Sequence, residues 1–204
     1  MKTKLSTAIV AALFFQLGIS GATETNSIHR SCCAMNLSAK KFTDQSLYQV
    51  ESVWTTDAQK QIKLGALAGK PQVVLMFYSR CTTACPILEN ELRQIEAALP
   101  PETRAKTGFT LISFDSERDT PAALAEYRKV WNLPENWTLL SGQPDDVLEL
   151  AALLGIQFKK SSDGEIAHSN VITLLNAQGE IVFRQTGLNA GADEMVRRIE
   201  QIVE

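Results

Sequence analysis

The stretch Gln72-Val73-Val74-Leu75-Met76-Phe77-Tyr78, followed by Ser79-Arg80-Cys81-Thr82-Thr83-Ala84-Cys85-Pro86, determines the fold of this chain. The apolar run shows no polar alternation, which predicts a strand buried on both faces. A helical pattern follows, so the two thiols lie where a buried strand leads into a helix. A helix N-terminus favours the thiolate, which is both the nucleophile and the soft metal ligand. Two thiolates four residues apart on a first helical turn point the same way.

Strand and helix patterns alternate on both sides of this segment. Strands are predicted over 48–54, 61–64, 72–78, 109–114, 137–140, 171–175 and 181–185. Helices are predicted over 87–99, 147–154 and 195–203, and the first of these ends at Pro100-Pro101. A further helix is predicted to begin at Thr120-Pro121, with Leu124, Tyr127 and Trp131 on its inner face. The order predicts an α/β, thioredoxin-like fold, with a mixed central sheet covered by helices and a C-terminal β-hairpin and helix.

The N-terminal residues have the pattern of a targeting segment. Lys2 and Lys4 precede a mostly apolar run, and Ser20-Gly21-Ala22 offers small residues for cleavage. We therefore predict a signal peptide over 1–22, or an N-terminal anchor if it stays uncleaved, although the run is short for a membrane span of about 20 residues. Either form predicts an exported protein, in the periplasm or on the outer face of the membrane, and membrane attachment only if the segment is uncleaved.

Composition limits the remaining possibilities. The chain has 204 residues, of which 45% are hydrophobic and 21% charged, enough for one domain with a substantial core. Residues 23–45 are polar and aperiodic and are predicted to form a flexible lead-in, followed by the domain at 46–204. The net charge is −3 and no basic block occurs, which argues against nucleic acid as a partner.

A third chemically notable side chain lies far along the chain. His168, one of only two histidines, precedes the predicted strand 170–175 in a loop that could fold over the thiols. Two sulfurs and one imidazole are a natural ligand set for copper. The spacing of Cys81 and Cys85 also permits a disulfide, because Cα atoms four apart on a helix lie about 6 Å from each other. Spacing alone leaves a metal site and a structural or redox disulfide as equal alternatives.

Three ordered segments resemble the Sco/SenC copper-binding proteins used in cytochrome oxidase assembly. They are the aromatic-led C-x-x-x-C-P of 77–86, the strand-acid-Arg-Asp-Thr-Pro segment of 112–121, and His168-Ser169-Asn170 with the following 174–179. The resemblance spans about residues 48–204. The sequence departs from the family pattern in two places. Ala167 stands where an acid is common, and Asn176-Ala177-Gln178-Gly179 replaces the usual Asp-Pro-x-Gly.

The resemblance implies a function as well as a fold. It implies that Cys81, Cys85 and His168 bind copper, as Cu(I) or Cu(II), and that the cysteines cycle between dithiol and disulfide. It further implies a copper-receiving partner such as an oxidase subunit, to which the protein delivers copper or whose thiols it reduces. Such a protein is a metallochaperone rather than a turnover enzyme.

Three other functions fit parts of this pattern. A metal-independent thiol-disulfide oxidoreductase would use Cys81 for attack and Cys85 for resolution, and would not need His168. A thiol peroxidase shares the fold but needs a lone activated cysteine, so the paired thiols argue against it. A structural zinc site would combine Cys81, Cys85 and His168 with a ligand from the N-terminal segment.

Further polar residues are candidates for supporting roles. Asp115 and Asp119 are expected near the carboxyl end of the second core strand, where an acid could orient a ligand or accept a proton. A helix-entry or surface position for Asp119, and a salt bridge for Arg118, are the simpler interpretations. His29, Cys32, Cys33 and Met35 cluster in the lead-in, either as a second copper site or, as we favour, as a redox-sensitive tail.

Overall fold

The computed structural model describes residues 42–162 and 164–203, and its strands form two sheets. The strands are β1 (Val53–Thr56), β2 (Gln61–Lys63), β3 (Gln72–Phe77), β4 (Gly108–Ser113), β5 (Trp137–Ser141), β6 (Phe158–Lys160), β7 (Ile166–His168), β8 (Val171–Leu175) and β9 (Ile181–Thr186). The main sheet has seven strands in the order β2-β1-β5-β4-β3-β8-β9. A separate antiparallel hairpin consists of β6 and β7.

Five α-helices and two short 3-10 helices accompany the strands in the described residues. The α-helices are α1 (Ala84–Ala98), α2 (Pro101–Ala105), α3 (Pro121–Val130), α4 (Pro144–Leu153) and α5 (Asp193–Val203). The 3-10 helices are Leu47–Gln49 and Leu64–Leu67. Prolines begin α2, α3 and α4, where their missing N–H has no partner to lose and their fixed φ suits the first turn.

The centre of the main sheet determines where the thiols lie. β3 pairs in parallel with β4 and antiparallel with β8, and all six of its residues are buried, as the uninterrupted apolar run predicts. Because β3 and β4 run in the same direction, their carboxyl ends lie at the same edge of the sheet. The segment from Tyr78 to Cys85 leaves β3 at this edge, and Phe114 to Asp119 leave β4 beside it.

Helices cover both faces of the sheet. Phe77 of β3 packs on Tyr127 of α3, with 5.3 Å between ring centroids. Val74, which points to the opposite face because strand residues alternate, lines a small apolar cavity with Ile112 and with Leu150 of α4. The mixed sheet between helices and the closing β8–β9 hairpin followed by α5 confirm the predicted α/β, thioredoxin-like fold.

Several local predictions were wrong in detail. Residues 47–49 form a 3-10 helix rather than the start of a strand, because the Ser46 hydroxyl accepts the Tyr48 N–H and caps a tight turn. Pro100-Pro101 ends α1 but also begins α2. Trp131 is 45% exposed instead of facing inward, since α3 ends at Val130 and the chain leaves the helical path there.

The predicted N-terminal features lie almost entirely outside the described residues. These are the signal peptide over 1–22, the lead-in up to residue 41, and the cluster of His29, Cys32, Cys33 and Met35. The described end of the lead-in packs on the domain, where Phe42 meets Tyr48 edge-on at 5.5 Å between ring centroids. Among residues 42–162 and 164–203, no helix is both long and apolar enough to cross a membrane.

Burial of the sheet leads to a stability prediction. Leu111 of β4 is 0% exposed, whereas Leu148 of α4 is 55% exposed. We expect Leu111→Ala to lower the free energy of unfolding by about 2–5 kcal/mol, because it leaves a cavity in a packed core. The matched control, Leu148→Ala, should cost less than about 1 kcal/mol. Urea unfolding followed by tryptophan fluorescence measures both, and equal losses would contradict the assigned core.

Candidate metal centre

The two cysteines occupy different positions at the start of α1. Cys85 lies in the first turn of the helix, whereas Cys81 lies in the turn that precedes the helix. The prediction that both cysteines lie on the first helical turn was therefore wrong. The Cys81 sulfur accepts a hydrogen bond from the Cys85 backbone N–H at 3.4 Å. Thr83 stands at the N-cap position, but its side chain makes no capping hydrogen bond. The sulfur takes the place that a capping hydroxyl would fill.

These positions give the thiols unequal acidity. Burial is the largest single effect on the pKa of Cys81 and raises it, but hydrogen bonds from Cys85 and Thr83 together outweigh burial and lower this pKa below its ordinary value. Burial raises the pKa of Cys85 well above its ordinary value. Cys81 is therefore the thiol that ionises first, and Cys85 holds its proton under the same conditions.

A buried carboxylate adds to this difference. Glu89 lies one helical turn after Cys85, is 3% exposed, and accepts a hydrogen bond from the Tyr127 hydroxyl. Burial raises the pKa of Glu89 to about 7. Its negative charge, when present, further raises the pKa of Cys85, because two like charges on the same side of a helix repel each other.

The imidazole of His168 reaches the thiols from the β6–β7 hairpin. Its Nε2 lies 3.7 Å from the Cys85 sulfur, and its Nδ1 lies 3.0 Å from the Ser169 carbonyl oxygen. A carbonyl can only accept, so Nδ1 donates its N–H to this oxygen, and Nε2 is the ring nitrogen that faces the sulfurs. The ligand atoms of Cys81, Cys85 and His168 all lie within 4.8 Å of one another.

Aromatic side chains surround the imidazole. The ring of His168 packs against Phe114, which follows β4, with 5.0 Å between centroids, and meets Tyr78 edge-on at 6.2 Å. Phe158 of β6 packs on the same Phe114 at 4.8 Å. The hairpin therefore rests on the carboxyl edge of the main sheet through apolar rings, which limit the rotation of the imidazole.

The two acids that follow β4 act on the backbone around the site. Asp119 is 0% exposed, and its carboxylate accepts the Ser79 N–H at 2.9 Å together with the hydroxyls of Ser79 and Ser113. It therefore holds the start of the thiol loop, a role more specific than the helix-entry acid that we expected. Its hydrogen bonds go to this loop and to β4, so its influence on the donor atoms is indirect.

Asp115 connects the same sheet edge to the hairpin. Its buried carboxylate pairs with the guanidinium of Arg118, as the predicted salt bridge requires, and lies 3.8 Å from Nζ of Lys160 on β6. Arg118 also donates to the carbonyl of Gly164 in the hairpin turn. These contacts fasten the turn and the first strand of the hairpin to the segment after β4.

Sequence reasoning missed the hairpin and the residues that hold it. Tyr78 donates a hydrogen bond to the carboxylate of Glu165 at 2.8 Å, and neither residue was singled out. A signal was present, because the dipeptide Asp163-Gly164 is typical of hairpin turns and lies between residues 158–160 and 166–168. The placement of His168 in a plain loop was therefore wrong, since it ends strand β7.

The chemistry of the donor atoms indicates which ions the centre fits. It offers two sulfurs and one imidazole nitrogen, and among the described residues no carboxylate joins this group. Both cysteines are buried and free, so no disulfide engages their sulfurs. Sulfur and imidazole donors favour copper or zinc over magnesium or calcium, which prefer oxygen.

The sequence and the structure of this chain are similar to those of several known proteins. The chain is similar to a protein of Stutzerimonas stutzeri described as copper-binding, with 25% identity over 142 residues that cover 68% of each chain. A SCO1/SenC family lipoprotein from Bacillus anthracis superposes with a TM-score of 0.69 at 19% identity, over 81% of this chain and 99% of that one. The structure of Bradyrhizobium japonicum ScoI with copper bound superposes with a TM-score of 0.64 at 24% identity, over 74% of this chain and 96% of that one.

The two structural likenesses concern the fold alone, because their sequence identity is low. The family assignment rests on a different comparison, in which the SCO1/SenC family model matches residues 43–204. This range covers most of the chain and includes both cysteines and the histidine. The chain therefore belongs to the SCO1/SenC family.

Proposed function

We propose that this protein binds copper through Cys81, Cys85 and His168 and either delivers it to a copper protein or reduces that protein's thiols. The observation that carries the proposal is the convergence of two buried sulfurs and one oriented imidazole nitrogen within 4.8 Å. The copper-binding description of the Stutzerimonas relative and the copper-bound ScoI structure support the choice of metal. The partner is a copper-receiving protein such as a cytochrome c oxidase subunit.

Each residue of the centre has a distinct part in this function. Copper, as cargo, would be held by soft thiolates in the Cu(I) state and accepted by the same set as Cu(II) with an added oxygen ligand. Cys81 supplies the first thiolate because the start of α1 stabilises its charge. Cys85 must lose a proton on binding. His168 offers Nε2 as its ligand atom, because Nδ1 is used in the hydrogen bond with the Ser169 carbonyl.

Disulfide formation between the same sulfurs controls whether the site is available. When Cys81 and Cys85 form a disulfide, two protons and two electrons leave the pair, and both thiolate ligands are lost. A disulfide of the partner can accept these two electrons and two protons, and it then becomes a dithiol. One bond therefore switches the protein between a copper-binding and an oxidised form.

We further propose that the protein acts outside the cytoplasm. The predicted signal segment over 1–22 supports this location, and all four cysteines follow it in the sequence. The Bacillus anthracis relative is itself described as a lipoprotein. In an oxidising compartment, the cysteine pair needs a reductant before it can accept copper.

A metal-independent thiol-disulfide oxidoreductase is the second candidate. The observation that favours it is the unequal acidity of the two thiols, since a reactive Cys81 beside a protonated Cys85 suits attack followed by resolution. Under this alternative, His168 has no chemical role. The two candidate functions therefore differ in one requirement: copper binding needs the imidazole of His168, and metal-independent disulfide exchange does not.

Replacement of that imidazole distinguishes the candidates. We expect His168→Ala to abolish tight copper binding, because the third ligand is lost, while the thiols still form and break their disulfide. His29→Ala, which alters the only other histidine, is the matched control and should bind as the wild type does. Anaerobic titration with Cu(I) and Cu(II) measures affinity, and an unchanged affinity in His168→Ala would show that the ligand assignment is wrong.

The thiols should also react at different rates. Because the pKa of Cys81 is lowered and that of Cys85 is raised, alkylation of the metal-free reduced protein should modify Cys81 first. The rate at Cys81 should rise with pH earlier than the rate at Cys85. Peptide mapping by mass spectrometry after iodoacetamide treatment measures both. In urea the two rates should become similar, and a faster reaction at Cys85 in the folded protein would overturn the assignment.

Copper affinity should depend on pH in a defined direction. Cys85 binds a proton across the neutral range because its pKa is raised, so copper binding must displace this proton. Apparent affinity should therefore fall by about tenfold per pH unit for each proton displaced as the solution becomes more acidic. Titration in weakly buffered solution counts the released protons, and affinity that is independent of pH between 6 and 8 would contradict thiolate ligation.

A further inference from the structure

The main sheet holds His168 only through Ser169 and Asn170, the two residues that lead into β8. His168 ends β7, which pairs only with β6 in the separate two-stranded sheet of the described residues. The cysteines, in contrast, follow β3 at the centre of the seven-stranded sheet. The distance between imidazole and sulfurs therefore depends on the side chains that join the hairpin to the thiol loop.

Tyr78 makes the contacts that join these two parts. Its hydroxyl donates to the carboxylate of Glu165 at 2.8 Å. Glu165 directly precedes β7 and lies three positions before His168. Tyr78 is 3% exposed whereas Glu165 is exposed, so this hydrogen bond joins a buried side chain of the thiol loop to the surface of the hairpin.

The same residue contacts two of the three donor residues of the centre. Its backbone carbonyl accepts the Cys81 N–H at 3.1 Å. Its ring meets the ring of His168 edge-on at 6.2 Å.

The other polar attachments of the hairpin lie farther from the imidazole. Arg118 donates to the carbonyl of Gly164 in the turn, and Lys160 of β6 pairs with Glu117 at 2.6 Å. These contacts hold the turn and the first strand. They would keep the hairpin near the domain if the Tyr78 contact were lost, but they do not fix the strand that carries the imidazole.

We propose that Tyr78 is a positioning residue, whose hydroxyl holds β7 against the thiol loop so that His168 stays within bonding range of both sulfurs. This inference rests on the proposed copper-binding function of the same three residues. The hydroxyl is the essential part, because the aromatic ring packs in the core whether or not it carries oxygen. Without the hydroxyl, Glu165 loses the hydrogen bond that joins the residue before β7 to the thiol loop.

The test compares two substitutions that each remove one buried hydroxyl. In Tyr78→Phe we expect copper affinity to fall by about tenfold, as loss of one hydrogen bond to a charged group predicts. Tyr48→Phe is the matched control, because the Tyr48 hydroxyl is buried and has no hydrogen-bond partner among residues 42–162 and 164–203. That control should keep the affinity of the wild type, and thermal unfolding of both variants shows whether either has lost its fold.

A second measurement needs no metal. In the reduced, metal-free protein, amide hydrogen exchange followed by NMR should be about tenfold faster at Ile166 and along β7 in Tyr78→Phe, and unchanged in β3 and β4. Glu165→Gln keeps an oxygen that can accept the hydroxyl and should stay close to the wild type, whereas Glu165→Ala should resemble Tyr78→Phe. The double variant Tyr78→Phe/Glu165→Ala should be little worse than either single one.

The outcomes separate this inference from the proposed function. Wild-type exchange at β7 in Tyr78→Phe would overturn the inference, even if copper affinity fell, since the effect would then act on Cys81 directly. Equal losses in Tyr78→Phe and Tyr48→Phe would overturn it as well. If His168→Ala binds copper normally, the proposed function fails, and the positioning of β7 by Tyr78 is then decided by hydrogen exchange alone.

Discussion

The hydrogen bonds that the Cys81 sulfur accepts at the start of α1 are the interaction on which the site depends. The first turn of any helix has backbone N–H groups without partners, and here a sulfur accepts one of them where Ser or Thr commonly would. This contact orients the sulfur toward Cys85 and lowers the pKa of the Cys81 thiol. A hydroxyl would cap the helix equally well, so capping explains where the atom lies but not why it is sulfur.

The histidine is held in a different way. The thiol loop is fastened by Asp119, a buried acid that accepts hydrogen bonds from both the backbone and the side chain of Ser79. The hairpin that carries His168 is joined to the domain through rings and a few polar side chains, such as Tyr78 and Arg118. One part of the donor set therefore belongs to the core of the fold, and the other is attached to it. Such a division suits an ion that must be both bound and released.

In the proposed function, metal binding and disulfide exchange use the same two sulfurs, so the surroundings must serve both. Burial holds the proton on Cys85 and, with the charge of Glu89, keeps its pKa high. The helix start favours the thiolate at Cys81. A pair with one ready thiolate and one protonated thiol can attack a disulfide, and it can also take up copper with release of a proton. In the proposed function, the imidazole of His168 contributes to copper uptake and not to disulfide exchange.

Sequence by itself determined the buried strand 72–78, the helices that follow it, the mixed sheet and the three residues worth testing, because periodic burial and thiol chemistry are local properties. It did not reveal the β6–β7 hairpin, although Asp163-Gly164 signalled a turn, since each strand has only three residues. Only the tertiary structure brought His168 to 3.7 Å from Cys85 and Tyr78 to Glu165, contacts that span more than 80 positions of the chain. Such distances follow from how the sheet edge and the hairpin pack, which no local pattern encodes.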